Sequence, residues 1–244
     1  MTLAEGRVRD LQPVTDVSGW YLLATIAIGG VASAVIGIAT YYGVHSLAPS
    51  TNSSVTTQLI VAEVYGALTA AVALAFNPFW KSPLALRFTS LRDLGLALIA
   101  WIAIVASSLI VYLLLRPIAG SLSDSTRQIL TIATDAKRLR DQPASAWAIA
   151  IPRGCLIVPL FEELLFRGLL LEWLRKRLVN SYAIVVSAVL FAAMHAYPIV
   201  MPYAFLAGLF MGWVRIKTGS TFNTLIMHVL NNVLFLYLGL SLLR

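Results

Sequence analysis

Charge is what this sequence has least of. Only 12% of its 244 residues are Asp, Glu, Lys or Arg, against roughly 25% in a soluble domain. So few charged groups cannot cover a water-facing surface, which excludes a soluble globular protein. Cysteine is almost absent: Cys155 stands alone, excludes an intrachain disulfide, and within an apolar run reads as a small core residue. There is no repeat of fixed period, which speaks against a transporter built from two related halves. No cleavable signal peptide is expected, since the first nineteen residues are polar and mixed in charge and the apolar run after them is too long for an h-region. The apolar runs hold no paired aspartates and no Ser-His-Asp order, so the common aspartyl and serine intramembrane mechanisms have no candidates. The net charge of +7 does not mark a nucleic-acid binder, because the basic residues sit at the ends of apolar runs rather than in one patch. They read as topology signals and as contacts to anionic lipid head groups.

What is present is apolar. Hydrophobic residues make up 59% of the chain and the mean hydropathy is +0.83. The expected fold is an all-α, polytopic integral membrane helical bundle of about seven spans plus an interfacial helix. Residues 1–19 form a polar N-terminal arm, and residues 20–117 hold the N-terminal spans Trp20 to Val44, Thr57 to Phe76 and Leu94 to Leu115. Gly29, Gly30 and Gly37 give the first of these small faces for helix packing, and His45 lies in the solvated loop that follows. Residues 118–145 interleave charges with Ile129, Ile132, Ala133 and Leu139 and read as a surface helix at the interface.

Residues 146–244 are expected to form a second membrane unit, the core of the bundle. The fourth span, Ala146 to Leu178, is too long to stand upright and is expected to bend or restart at Pro152 or Pro159. The fifth to seventh are Ser181 to Ala196, Ile199 to Ile216 and Thr221 to Leu240, with a tight turn at Lys217 to Ser220. Ten basic residues on one side against six on the other favour an inside N-terminus.

The fourth span carries the sequence PLFEELLFRGLLLEWLRKR from Pro159 to Arg177. An ionised side chain at membrane depth costs a few kcal/mol unless it is paired or faces water. Glu163 and Arg167 are four apart with the acid N-terminal to the base, the better arrangement for an ion pair on one helix face. Glu162 points about 100° away from Glu163 and has no sequence-local cation. His195 follows Phe191 by four residues, and Asn232 follows His228 by four, so each pair shares a face. Counted at about 1.5 Å per residue from the inner ends, Glu162 lies roughly 18 Å deep, His195 about 21 Å, His228 about 12 Å and Asn232 near 18 Å. Taken singly each histidine reads as easily as a hydrogen-bonded core residue, but polar groups from three spans agreeing in depth point to a shared cavity.

The chemistry of such a set is limited. A glutamate beside a histidine can deprotonate a water, while a second histidine and an asparagine can donate to the oxyanion formed at a carbonyl. Glu162, His195 and His228 also offer donors for a zinc ion, which would itself acidify the water. Sequence leaves both readings open.

The three motifs together resemble the CAAX prenyl protease and bacteriocin-processing family of intramembrane endopeptidases, also called the Abi family. The Glu-Glu-x-x-x-Arg hallmark matches Glu162, Glu163 and Arg167; Phe-x-x-x-His matches Phe191 and His195; His-x-x-x-Asn matches His228 and Asn232. Phe166-Arg167-Gly168 and Thr218-Gly219-Ser220 agree with the surrounding pattern, and the resemblance covers about residues 155–235. It implies that Glu162 with His195 activates water, that His228 and Asn232 hold the oxyanion, and that Glu163, Arg167 and Phe191 brace the site. It also implies a peptide or protein substrate, either a prenylated tail, a leader peptide or a membrane segment, and a place in the lipid bilayer of a prokaryotic plasma membrane. The competing readings are a non-catalytic scaffold or immunity protein and a small-solute or proton carrier. Outside the motifs, Glu63 and Arg153 are two further ionisable groups at membrane depth, and a pair between them would anchor the fourth span.

Overall fold

The computed structural model describes residues 86–119, 151–195 and 200–241, and every element of regular structure among them is helical. Helix α1 runs Leu91–Ala119. It starts where the Ser90 hydroxyl accepts the Asp93 backbone N–H at 3.1 Å, filling one of the four donors a helix start leaves open. The helix continues past Pro117, because a proline in the last turn forfeits only one backbone bond. Its small residues Ala97 and Ala100 are buried, together with Ile104, while Ile99, Ile102 and Leu114 are exposed. Small residues inward and large apolar residues outward is the pattern of a helix whose solvent is lipid.

The helix bearing the two glutamates is not a regular α-helix. A π-helical stretch, Arg153–Ile157, is followed by α2, Val158–Glu163, then by a second π-helical stretch, Leu164–Leu170, and by α3, Leu171–Arg175. The restart expected at a proline therefore takes the form of a register change, with Pro159 in the first turn of α2, where its missing N–H is tolerated. The wide turns swing side chains out of the regular series, a feature that recurs at functional sites.

Helix α4, Asn180–Met194, and α5, Met201–Thr218, pack closely along their length, the most extensive pairing among the described helices. At their crossing a Cβ on Gly208 would come within 2.9 Å of the Ala188 Cα. Only glycine lets the two backbones approach this closely. Gly219, at φ 65°, ends α5 in the left-handed conformation while its N–H reaches the Arg215 carbonyl at 2.9 Å. Ser220 then accepts the Phe222 N–H at 3.2 Å and opens α6, Thr221–Ser241. The same hydroxyl donates to the Arg87 carbonyl at 2.6 Å, and Asn223 donates to Thr89 at 3.1 Å. These bonds tie the approach to α1 against the start of α6.

Two apolar clusters hold the bundle. One joins Phe166, Leu170, Leu171 and Leu174 to Phe191 and Ala204. The other joins Ala97, Ala100 and Ile104 of α1 to Met211, Val214 and Met227. Among the described residues two helices are long and apolar enough to cross a membrane, over Leu91–Val111 and Thr221–Leu238. They match the third and seventh expected spans. The fifth and sixth expected spans fall on the helices α4 and α5, of 15 and 18 residues, which are not among those long and apolar enough to cross. The N-terminal arm, the first two spans, the interfacial segment beyond Ala119, and the proposed partners Glu63 and the Arg153 side chain lie outside the described residues.

Candidate active site

The site grows from Glu163, whose side chain is fully buried. Arg167 Nη1 donates to Glu163 Oε1 at 2.8 Å, with the two side chains 1% and 0% exposed. The pair forms because the residues are four apart on one helix face. The second π-helical stretch, which contains Arg167, keeps the guanidinium over the Phe191 ring at 4.3 Å. Stacking there supplies a cation–π contact in addition to the ion pair.

Helix α6 brings His228 onto the same carboxylate. Its Nδ1 lies 2.9 Å from Glu163 Oε1, and since a carboxylate only accepts, Nδ1–H is the donor. The far side of the ring faces Glu162, with Nε2 3.5 Å from Oε2. That separation is at the limit of a hydrogen bond. Such contacts commonly tighten once a reacting group arrives. Glu162 is 31% exposed where Glu163 is sealed, so the neighbouring carboxylates occupy different environments: one is paired inside the protein and the other reachable from outside.

His195 closes α4 as its C-cap, and its Nδ1 donates to the Phe191 carbonyl at 2.9 Å. A carbonyl partner fixes the proton on Nδ1 and leaves Nε2 as the free nitrogen. The Phe191 ring packs edge-on against His195 at 4.8 Å and against His228 at 5.9 Å. Phe191 is thus the common wall of Arg167 and both histidines. Asn232, one turn beyond His228, donates from Nδ2 to the Gly154 carbonyl at 2.8 Å and so joins α6 to the first π-helical stretch.

Among the described residues no three of His, Cys, Asp and Glu come together as metal ligands do. His195 and His228 each hold Nδ1 on an internal partner, the Phe191 carbonyl and Glu163 Oε1, which leaves Nε2 as the remaining nitrogen of each ring.

Three features escaped the sequence. His228 contacts Glu163 as well as Glu162, across 65 residues of chain. The Gly154 carbonyl is the acceptor for Asn232. Arg215, one of the span-end basic residues taken as topology signals, is 2% exposed. Its Nε donates to Thr221 at 3.1 Å and its Nη2 lies 3.0 Å from Glu172, which also pairs with Arg175 at 3.0 Å. A span-end arginine has the same sequence signature whether it meets lipid or a buried carboxylate. Only the Glu172 and Arg175 spacing of three hinted that an acid was available there.

Apolar helices of membrane length, enclosing a buried Glu-Arg-His cluster with one accessible glutamate beside it, place the chain among helical membrane proteins with a polar site in the apolar layer. Residues 144–234, the stretch that holds all three motifs, match the family described as type II CAAX prenyl endopeptidase, Rce1-like. No curated protein and no solved structure matches the chain.

Proposed function

We propose that this protein is a multi-pass intramembrane endopeptidase that hydrolyses a peptide bond with a water activated at Glu162. The observation that carries this reading is the division of labour between the glutamates. Glu163 is spent on Arg167 and His228, whereas Glu162 is accessible and lies 3.5 Å from His228 Nε2. Glu162 takes a proton from the attacking water, which the free Nε2 of His195 orients. The water oxygen adds to the scissile carbonyl, and the oxyanion accepts from His228 Nε2–H and from the second amide N–H of Asn232. The tetrahedral intermediate then breaks at the C–N bond, and the proton held by Glu162 passes to the departing amine.

The family match supports a prenylated C-terminal peptide as the substrate class, and the setting of this proposal is the plasma membrane of a prokaryote. The test is cleavage of prenylated and unprenylated peptides by purified protein, wild type against Glu162→Gln. Specific cleavage lost in the variant, with the fold retained, is the expected result; equal turnover by both would remove Glu162 from the mechanism.

A further inference from the structure

The stretch before α2 raises the question of where its backbone hydrogen bonds go. A π-helical turn joins the carbonyl of residue i to the N–H of residue i+5. For Gly154, in the stretch Arg153–Ile157, that partner is Pro159, and proline has no N–H. The Gly154 carbonyl is therefore left without its donor in the π register. An unsatisfied backbone group in a bilayer is costly, so the donor must come from elsewhere. Asn232 provides it, 78 residues away in sequence, at 2.8 Å.

This bond orients the asparagine. A primary carboxamide has two N–H donors in one plane. With the first held on Gly154, rotation of the amide is stopped and the second N–H has a fixed direction. Among the described residues a Cβ placed on Gly154 would meet nothing within 4 Å.

We infer that Pro159 is a positioning residue: by withholding a helical N–H it keeps the Gly154 carbonyl available, and that carbonyl aims Asn232 at the oxyanion. The use of Asn232 in catalysis rests on the proposed function, whereas the link from Pro159 through Gly154 to Asn232 does not. Pro159→Ala returns the N–H, which closes on Gly154 and releases Asn232. The test is a double-mutant cycle between Pro159→Ala and Asn232→Ala on the full-length protein in detergent, read by kinetics and by Tm.

In the kinetic arm, Pro159→Ala should lower kcat on the order of 10²-fold with little change in KM, close to the loss in Asn232→Ala. The double variant should be no slower than Asn232→Ala alone. In the stability arm, Asn232→Ala strands the carbonyl and lowers Tm, and adding Pro159→Ala should restore part of that loss. The general effect of removing a proline on the unfolded chain cancels in the cycle. Additive kinetic losses, a Pro159→Ala kcat within about twofold of wild type, or no coupling in Tm overturns the inference. If the single Pro159→Ala variant does not fold, the comparison of the double variant with Asn232→Ala decides by Tm. Failure of both proline variants to fold assigns Pro159 to folding alone and also overturns it. A wild-type protein that cleaves nothing counts against the proposed function, and the Tm coupling still decides the link between Pro159 and Asn232.

Discussion

Replacing Arg167 with leucine separates what the buried cluster does for stability from what it does for catalysis. Arg167 and Glu163 are 1% and 0% exposed and 2.8 Å apart, so neither has water to fall back on. Removing one partner of such a pair costs about 3–5 kcal/mol, because the other charge is stranded. Loss of the cation over Phe191 at 4.3 Å adds roughly 1 kcal/mol. Arg167→Leu should therefore unfold at clearly lower denaturant, measured by tryptophan fluorescence in mixed micelles. Removing both charges, in Glu163→Leu with Arg167→Leu, should recover most of the stability, since apolar residues of similar volume replace a buried pair at little cost. It should not recover activity, because His228 Nδ1 then has no carboxylate and Nε2 is no longer aimed at Glu162. Two results would refute the reasoning: an Arg167→Leu protein within about 1 kcal/mol of wild type, the size of an exposed pair, or a double variant with wild-type turnover.

Three further outcomes follow from the same geometry. Glu162→Gln and His195→Ala should each abolish peptide cleavage while leaving the protein folded and membrane-inserted; substantial retained proteolysis in either speaks against water activation. Asn232→Ala should slow kcat by roughly 10²–10³ through the loss of one oxyanion donor, and an effect confined to KM would contradict that role. Gly208→Val should cost about 1–3 kcal/mol by overpacking, because even its Cβ meets the Ala188 backbone at 2.9 Å. A Tm equal to wild type would show that α4 and α5 do not cross as described.

The parts of this protein that were legible in its sequence are those set by local geometry. The ion pair of Glu163 and Arg167 follows from a spacing of four on a helix, and it forms. The helices α4, α5 and α6 fall where the apolar runs place them, within a few residues at each end. Counting rise per residue put Glu162 and His228 in neighbouring layers, and the structure brings them to 3.5 Å of each other.

Rotation and neighbourhood are not coded that way. Counting rise per residue leaves His228 about 6 Å short of Glu162 in depth, and only the packing of α6 against α2 brings one imidazole to both carboxylates. The burial of Arg215 depends on Glu172, which reaches it from another helix, and no local pattern distinguishes that from an arginine at the lipid surface. The π register between Arg153 and Ile157 is likewise a tertiary decision. Pro159 by itself signals only a restart, and it takes Asn232 from α6 to fill the carbonyl that the wide turn leaves open. The sequence therefore settled which polar residues lie within the apolar helices and which of them share a face four residues apart. The tertiary structure alone decided which of them touch, because contact depends on how each helix is turned and on which helix lies beside it.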